Sequence, residues 1–117
     1  MELRDLLQFI EIQDERLKRY YSGLEQEKVV LARTVKLTEE LGELCQEVLA
    51  HCSLQRRQKL ESCNKEKMSE EFADVLITTL LLAKSVDIDV ERALEKKIQK
   101  INKRLGGVDN PISKKKN

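Results

Sequence analysis

Apolar residues return along this chain at the intervals of one face of a helix. Leu3, Leu6, Leu7, Ile10 and Leu17 keep that spacing with Asp14 as a polar interruption, which predicts a first helix from about Glu2 to Tyr21. Ser22-Gly23 ends it. A second helix is predicted from about Glu27 to Ala50, because Val30, Val35, Leu37, Leu41, Leu44 and Val48 return to one side while Lys, Glu and Gln fill the other. Gly42 costs that helix about 1 kcal/mol against alanine, which implies a neighbour packed closely there. From His51 to Met68 the chain is polar and weakly periodic and reads as a connection with a short helical piece. Ser69 followed by Glu70 and Glu71 reads as the capped start of a third helix running to about Val86, with acids near the positive end of its dipole. Asp87 and Asp89 are the next cap candidates. Val90, Leu94, Ile98 and Ile101 mark a fourth helix closing at Gly106-Gly107. The prediction is an all-α domain over residues 1–108 and a frayed, Lys-rich tail over 109–117.

Composition agrees. A chain of 117 residues suits one core, and 40% hydrophobic with 37% charged residues, four Gly and one Pro favours long amphipathic helices. The formal charge of +1 supplies no global field for nucleic acid or membrane lipid. The SKKKN end lacks the interleaved aromatics of a nucleic-acid footprint. The longest apolar stretch, Val75 to Ala83, is nine residues against the ~20 that span a bilayer, so no membrane role is expected. The N-terminus MELRDLLQFIEIQDE carries acids throughout and lacks a cleavage site, and the expected location is the cytoplasm. Cys45, Cys52 and Cys63 form no CxxC pair, which argues for reduced thiols rather than zinc or a disulfide framework.

Chemistry concentrates in two acidic motifs. In TEELGE, Glu39, Glu40 and Glu43 share one arc of a helix, on the shoulder of its buried face. In EEFAD, Glu71 and Asp74 stand one turn apart at the mouth of a run in which seven of nine residues are apolar. A carboxylate entering a dry environment costs several kcal/mol unless a cation or hydrogen-bond donors receive it. If the two shoulders face each other, the carboxylates either take up protons or hold divalent cations. Oxygen-only ligands favour a hard ion, Mg²⁺ first and Mn²⁺ second. His51, the single histidine, lies outside both motifs, so a Glu-x-x-His iron site is disfavoured. The plainer alternative is a solvated acidic face on the second helix and acids complementing a helix dipole on the third.

With EELGE at Glu39–Glu43 and EFAD at Glu71–Asp74, the chain resembles the MazG-like, all-α nucleoside triphosphate pyrophosphohydrolases over roughly residues 28 to 105. The resemblance implies a four-helix bundle completed by assembly into a homodimer or homotetramer. It implies Mg²⁺ ligation by Glu40, Glu43, Glu71 and Asp74, with Glu39 a further ligand or the group orienting the attacking water, and Glu39 or Glu40 accepting that water's proton. Hydrolysis of a (deoxy)nucleoside triphosphate between the α- and β-phosphates would release a monophosphate and pyrophosphate, a nucleotide-pool house-cleaning activity. Lys97 and Arg104, seven residues apart, fit the family's phosphate-contacting basic stretch, although Ile101 stands where relatives often carry Asn. The first helix departs further, since Glu15-Arg16-Leu17-Lys18 replaces an aromatic-bearing segment. Two other readings remain open: a non-catalytic helical interaction module, and a nucleotide-binding regulator without turnover.

Overall fold

The computed structural model describes residues 1–52 and 65–105. Among these the chain is all-helical: α1 (Leu3–Tyr20), α2 (Gln26–His51), α3 (Lys65–Ser85) and α4 (Val90–Leu105). None of these helices is long and apolar enough to cross a membrane. The expected helix end at Gly106-Gly107, the Lys-rich tail and Cys63 lie outside the described residues.

Local chemistry sets the boundaries. In α1, Glu2 and Asp5 form a reciprocal capping box, and the helix gives way to a turn in which Gly23 takes φ +93°, a value that suits glycine. The start of α3 differs from expectation: it begins at Lys65, and Ser69 lies inside it, its hydroxyl donating to the Lys65 carbonyl at 2.7 Å. The polar KEKM segment propagates the helix rather than connecting to it. Glu71 and Asp74 consequently stand beyond the first turn, where the helix dipole no longer compensates them. Asp87 adopts a left-handed φ of 57°, a conformation that a short polar side chain tolerates, and the Asp89 carboxylate accepts from the Arg92 N–H to open α4.

The chain divides into two compact units, residues 1–86 and 87–117. In the first, α2 and α3 form the main antiparallel pair, and α1 packs on α3. Polar contacts along the α2–α3 seam fall at α2 positions two and then four turns apart. The Gln26 amide donates to the Ser85 carbonyl at 2.7 Å, Arg33 donates to the Leu81 carbonyl at 3.0 Å, and Glu47 pairs with Lys67 at 3.0 Å. A seven-residue step keeps one helix face against its neighbour. The second unit contains α4, whose half-buried positions include Val90 and Ile98, with Leu94 and Ile101 more exposed.

The buried face of α2 is not the one that its apolar residues alone suggest. Arg33, Glu40 and Leu44 are buried, whereas Val35 and Leu41 are 58% and 48% exposed. Packing selects the row 33, 37, 40, 44, and two of its members are charged. Leu31, Val35, Thr38, Gly42, Cys45 and Leu49 form an opposite row, spaced alternately by four and three residues, uncharged and exposed throughout. Among the described residues nothing lies within 4 Å of a Cβ added at Gly42, so the close neighbour expected there is not found among them. On α3, Phe72, Leu76 and Thr79 are exposed at the same kind of spacing.

Asp14, the polar interruption in the α1 stripe, is 1% exposed and fastens three helices together. Arg33 from α2 donates to it at 2.8 Å while also reaching the α3 carbonyl of Leu81, and Lys18 pairs with its other oxygen at 3.1 Å. Burial alone would raise the Asp14 pKa, but hydrogen bonds and charge from Arg33 and Lys18 outweigh it and hold the carboxyl below its ordinary value. Removing one member of such a pair strands the other. Asp14→Asn should therefore lower unfolding free energy by ~3 kcal/mol in urea titrations at pH 7. Because the folded-state pKa is depressed, this contribution is present above about pH 4 and is lost as pH falls through the folded value. A cost below ~1 kcal/mol would show that the three-helix junction does not depend on this ion pair.

Candidate metal centre

Helical spacing lines up acids on both partners of the α2–α3 seam. Glu40, Glu43 and Glu47 follow one another by three and four residues on α2, and Glu71 and Asp74 are three apart on the antiparallel α3. Glu40, Glu43 and Glu71 each bring a carboxylate oxygen within 4.8 Å of the others'. Glu40 is 7% exposed, Glu71 is half-buried and Glu43 faces outward. Glu40 Oε2 and Glu71 Oε2 are both buried, and neither has a hydrogen-bond partner among the described residues. A buried anionic oxygen left unreceived is costly, which makes these two atoms the outstanding electrostatic problem of the fold.

Burial first, then the charges of Glu43, Asp74, Glu40 and Glu47, push the Glu71 carboxyl above its ordinary value. Partial relief comes from Lys36, whose Nζ lies 3.1 Å from Glu40 Oε1 and 3.8 Å from Glu39 Oε2. Its hydrogen bond to Glu40, followed by the Glu40 charge, raises the lysine pKa in turn. An oxygen-only cluster with two unreceived oxygens is suited to a small divalent cation.

The expected site residues divide by position. The seam brings together Glu40, Glu43 and Glu71. Asp74 is exposed and lies outside this trio, acting on Glu71 through its charge. Glu39 is exposed beside Lys36. Lys97 and Arg104 are exposed on α4, in the second unit. Three residues went unnoticed in the sequence although helical spacing points to them: Lys36 is one turn before Glu40, Glu47 is one turn after Glu43, and Arg33 lies two turns before Glu40. Beyond Lys36, away from the acids, a cavity of about 400 Å³ opens between Leu17, Tyr21 and Leu24 on one side and Ala32, Thr78 and Leu81 on the other.

The family model that matches this chain is the MazG-like family, over residues 31–117, more than half the chain. The chain belongs to the MazG-like family. That match takes in both acidic motifs and α4 but not α1. It is also 39% identical over 74 residues to the "Uncharacterized protein YpjD" of Bacillus subtilis (strain 168), an overlap covering 63% of this chain and 65% of that protein. The overlap thus spans just under two thirds of the relative's own length. No solved structure matches.

Removing the charge of Glu71 should stabilise the metal-free protein, because a carboxylate with a raised pKa is penalised in the fold above that pKa. In thermal melts at neutral pH without divalent ions, Glu71→Gln should melt above the wild type. The difference should close as pH falls through the raised Glu71 value. Mn²⁺ should raise the wild-type melting temperature and leave that of Glu71→Gln nearly unchanged. A variant that melts lower yet gains as much from Mn²⁺ as the wild type would show that Glu71 faces no ion.

Proposed function

We propose that this member of the MazG-like family is a Mg²⁺-dependent nucleoside triphosphate pyrophosphohydrolase, with Mn²⁺ an effective substitute. Water would cleave the α–β phosphate bond of a (deoxy)nucleoside triphosphate, giving a nucleoside monophosphate and pyrophosphate. The reading rests on the two buried, unreceived oxygens of Glu40 and Glu71, which converge from different helices on one space. Family membership supports a nucleotide pyrophosphatase-type fold.

Glu40, Glu43 and Glu71 would hold the ion, with Asp74, one turn further along α3, as the proposed fourth ligand. The bound ion supplies positive charge that draws electron density from the phosphate oxygens and acidifies water. Glu39, more than half exposed and adjacent to the cluster, would accept a proton from the attacking water, with Glu40 the other candidate for that role. Lys97 and Arg104 project from one helix two turns apart and would neutralise the triphosphate chain. Discarding non-standard or surplus nucleotides in the cytoplasm is the corresponding cellular role.

Assembly belongs to the same reading. The outward rows of α2 and α3 have the spacing by which helices pack, and the centre of the α2 row is small: Thr38, Gly42 and Cys45. A second copy laid along these rows would approach closely at Gly42 and bury Leu31, Val35 and Leu76, each more than half exposed in the single chain. Glu39 and Glu43 flank Gly42 and Thr38, so such a partner would border the acids.

Incubation of the pure protein with each NTP and dNTP plus Mg²⁺ should release pyrophosphate from at least one of them. Glu40→Gln should lower kcat/KM by ~100-fold or more, since even groups behind a metal ligand are worth 10–100-fold. In sedimentation equilibrium the chain of 13.6 kDa should behave as a dimer or tetramer, and Val35→Asp should shift it toward monomer. Orthophosphate as the product, or no pyrophosphate from any nucleotide, would remove the enzymatic proposal.

A further inference from the structure

Lys36 is shared between the carboxylate cluster and the neighbouring cavity. Its ammonium pairs with Glu40 and approaches Glu39, while its side chain also lines the cavity with Leu17, Tyr21 and Thr78. Two other cations line that cavity, and both are already engaged: Arg33 and Lys18 are bound to the buried carboxylate of Asp14, and Arg33 also to the Leu81 carbonyl. Lys36 alone among the three is held by an acid that a divalent ion would claim. With 58% of its side chain exposed and a flexible four-carbon stem, it can leave Glu40 without disturbing the packing beneath.

We propose that Lys36 is an exchangeable counter-ion that holds Glu40 while the metal centre is empty. Once a divalent cation takes up the Glu40 charge, Lys36 swings to the cavity side and pairs with a phosphate of the bound nucleotide. The inference rests on the metal-centre reading above and adds a consequence to it. The lysine competes with the metal when it binds alone and assists the nucleotide when it binds with the metal, so one side chain couples the two events. Exchanging one anionic partner for another costs Lys36 little, because its charge is never left unpaired.

Calorimetric titrations of wild type, Lys36→Gln, Lys36→Arg and Glu71→Gln separate the parts. With Mn²⁺ and no nucleotide, Lys36→Gln should bind the ion at least ~3-fold more tightly than wild type, the scale of an exposed ion pair removed from competition. With saturating Mg²⁺ and an α,β-imido nucleoside triphosphate, the same variant should bind the analogue ~10-fold more weakly, and Lys36→Arg should recover most of that loss. Unchanged or weaker Mn²⁺ binding by Lys36→Gln would overturn the competition. Unchanged analogue binding would overturn the change of partner. Equal Mn²⁺ affinity in wild type and Glu71→Gln would instead locate the failure in the metal centre itself.

Discussion

Negative charge gathered between two packed helices is the constraint around which this protein is organised. The α2–α3 pair brings Glu40, Glu43 and Glu71 within 4.8 Å of one another and then withholds donors from two of their oxygens. Like charges so close repel by several kcal/mol even at an intermediate dielectric. A fold that merely needed two helices to adhere would gain by replacing these acids with leucine. Glu40 sits on the buried row of α2 while the apolar Val35 and Leu41 face outward, which is stability forgone at that place.

The surrounding structure resists that repulsion. Asp14, Arg33 and the Leu81 carbonyl fasten α1, α2 and α3 together at the cavity end of the seam, and Glu47 with Lys67 closes the other end. The acids sit between these two ties. Repulsion that would splay an isolated helix pair therefore acts against fixed ends, and the economical relief is a cation in the middle. Lys36 supplies part of it, reaching Glu40 but leaving Glu71 unanswered. The same side chain lines the neighbouring cavity, the contact on which the proposed exchange of partners rests.

Much of this could be read from residue spacing. The three-residue intervals of EELGE and EFAD placed the acids on one arc of each helix, because helical periodicity converts spacing into shared faces, but whether the two arcs meet was left as a condition that only packing settles. The all-α class followed as directly from the repeating apolar positions. What escaped notice depended on rotation and packing rather than period. Val35 and Leu41 looked like core because they are apolar, yet the helix turns Arg33 and Glu40 inward, a choice decided by partners on α1 and α3 that no single helix contains. Ser69 looked like a cap, but the polar residues from Lys65 onward extend the helix, and that extension removes the dipole explanation for Glu71 and Asp74. Asp14 was visible as a polar residue in an apolar stripe, but its significance needed Arg33, nineteen positions away.

Whether a divalent ion holds Glu40, Glu43 and Glu71 together is decided by anomalous diffraction. Crystals grown with Mn²⁺ and measured at the manganese edge should show a peak ~2.2 Å from oxygens of all three carboxylates. An anomalous map without density in that space, with those carboxylates turned to solvent or paired only with lysines, would contradict the proposed ion.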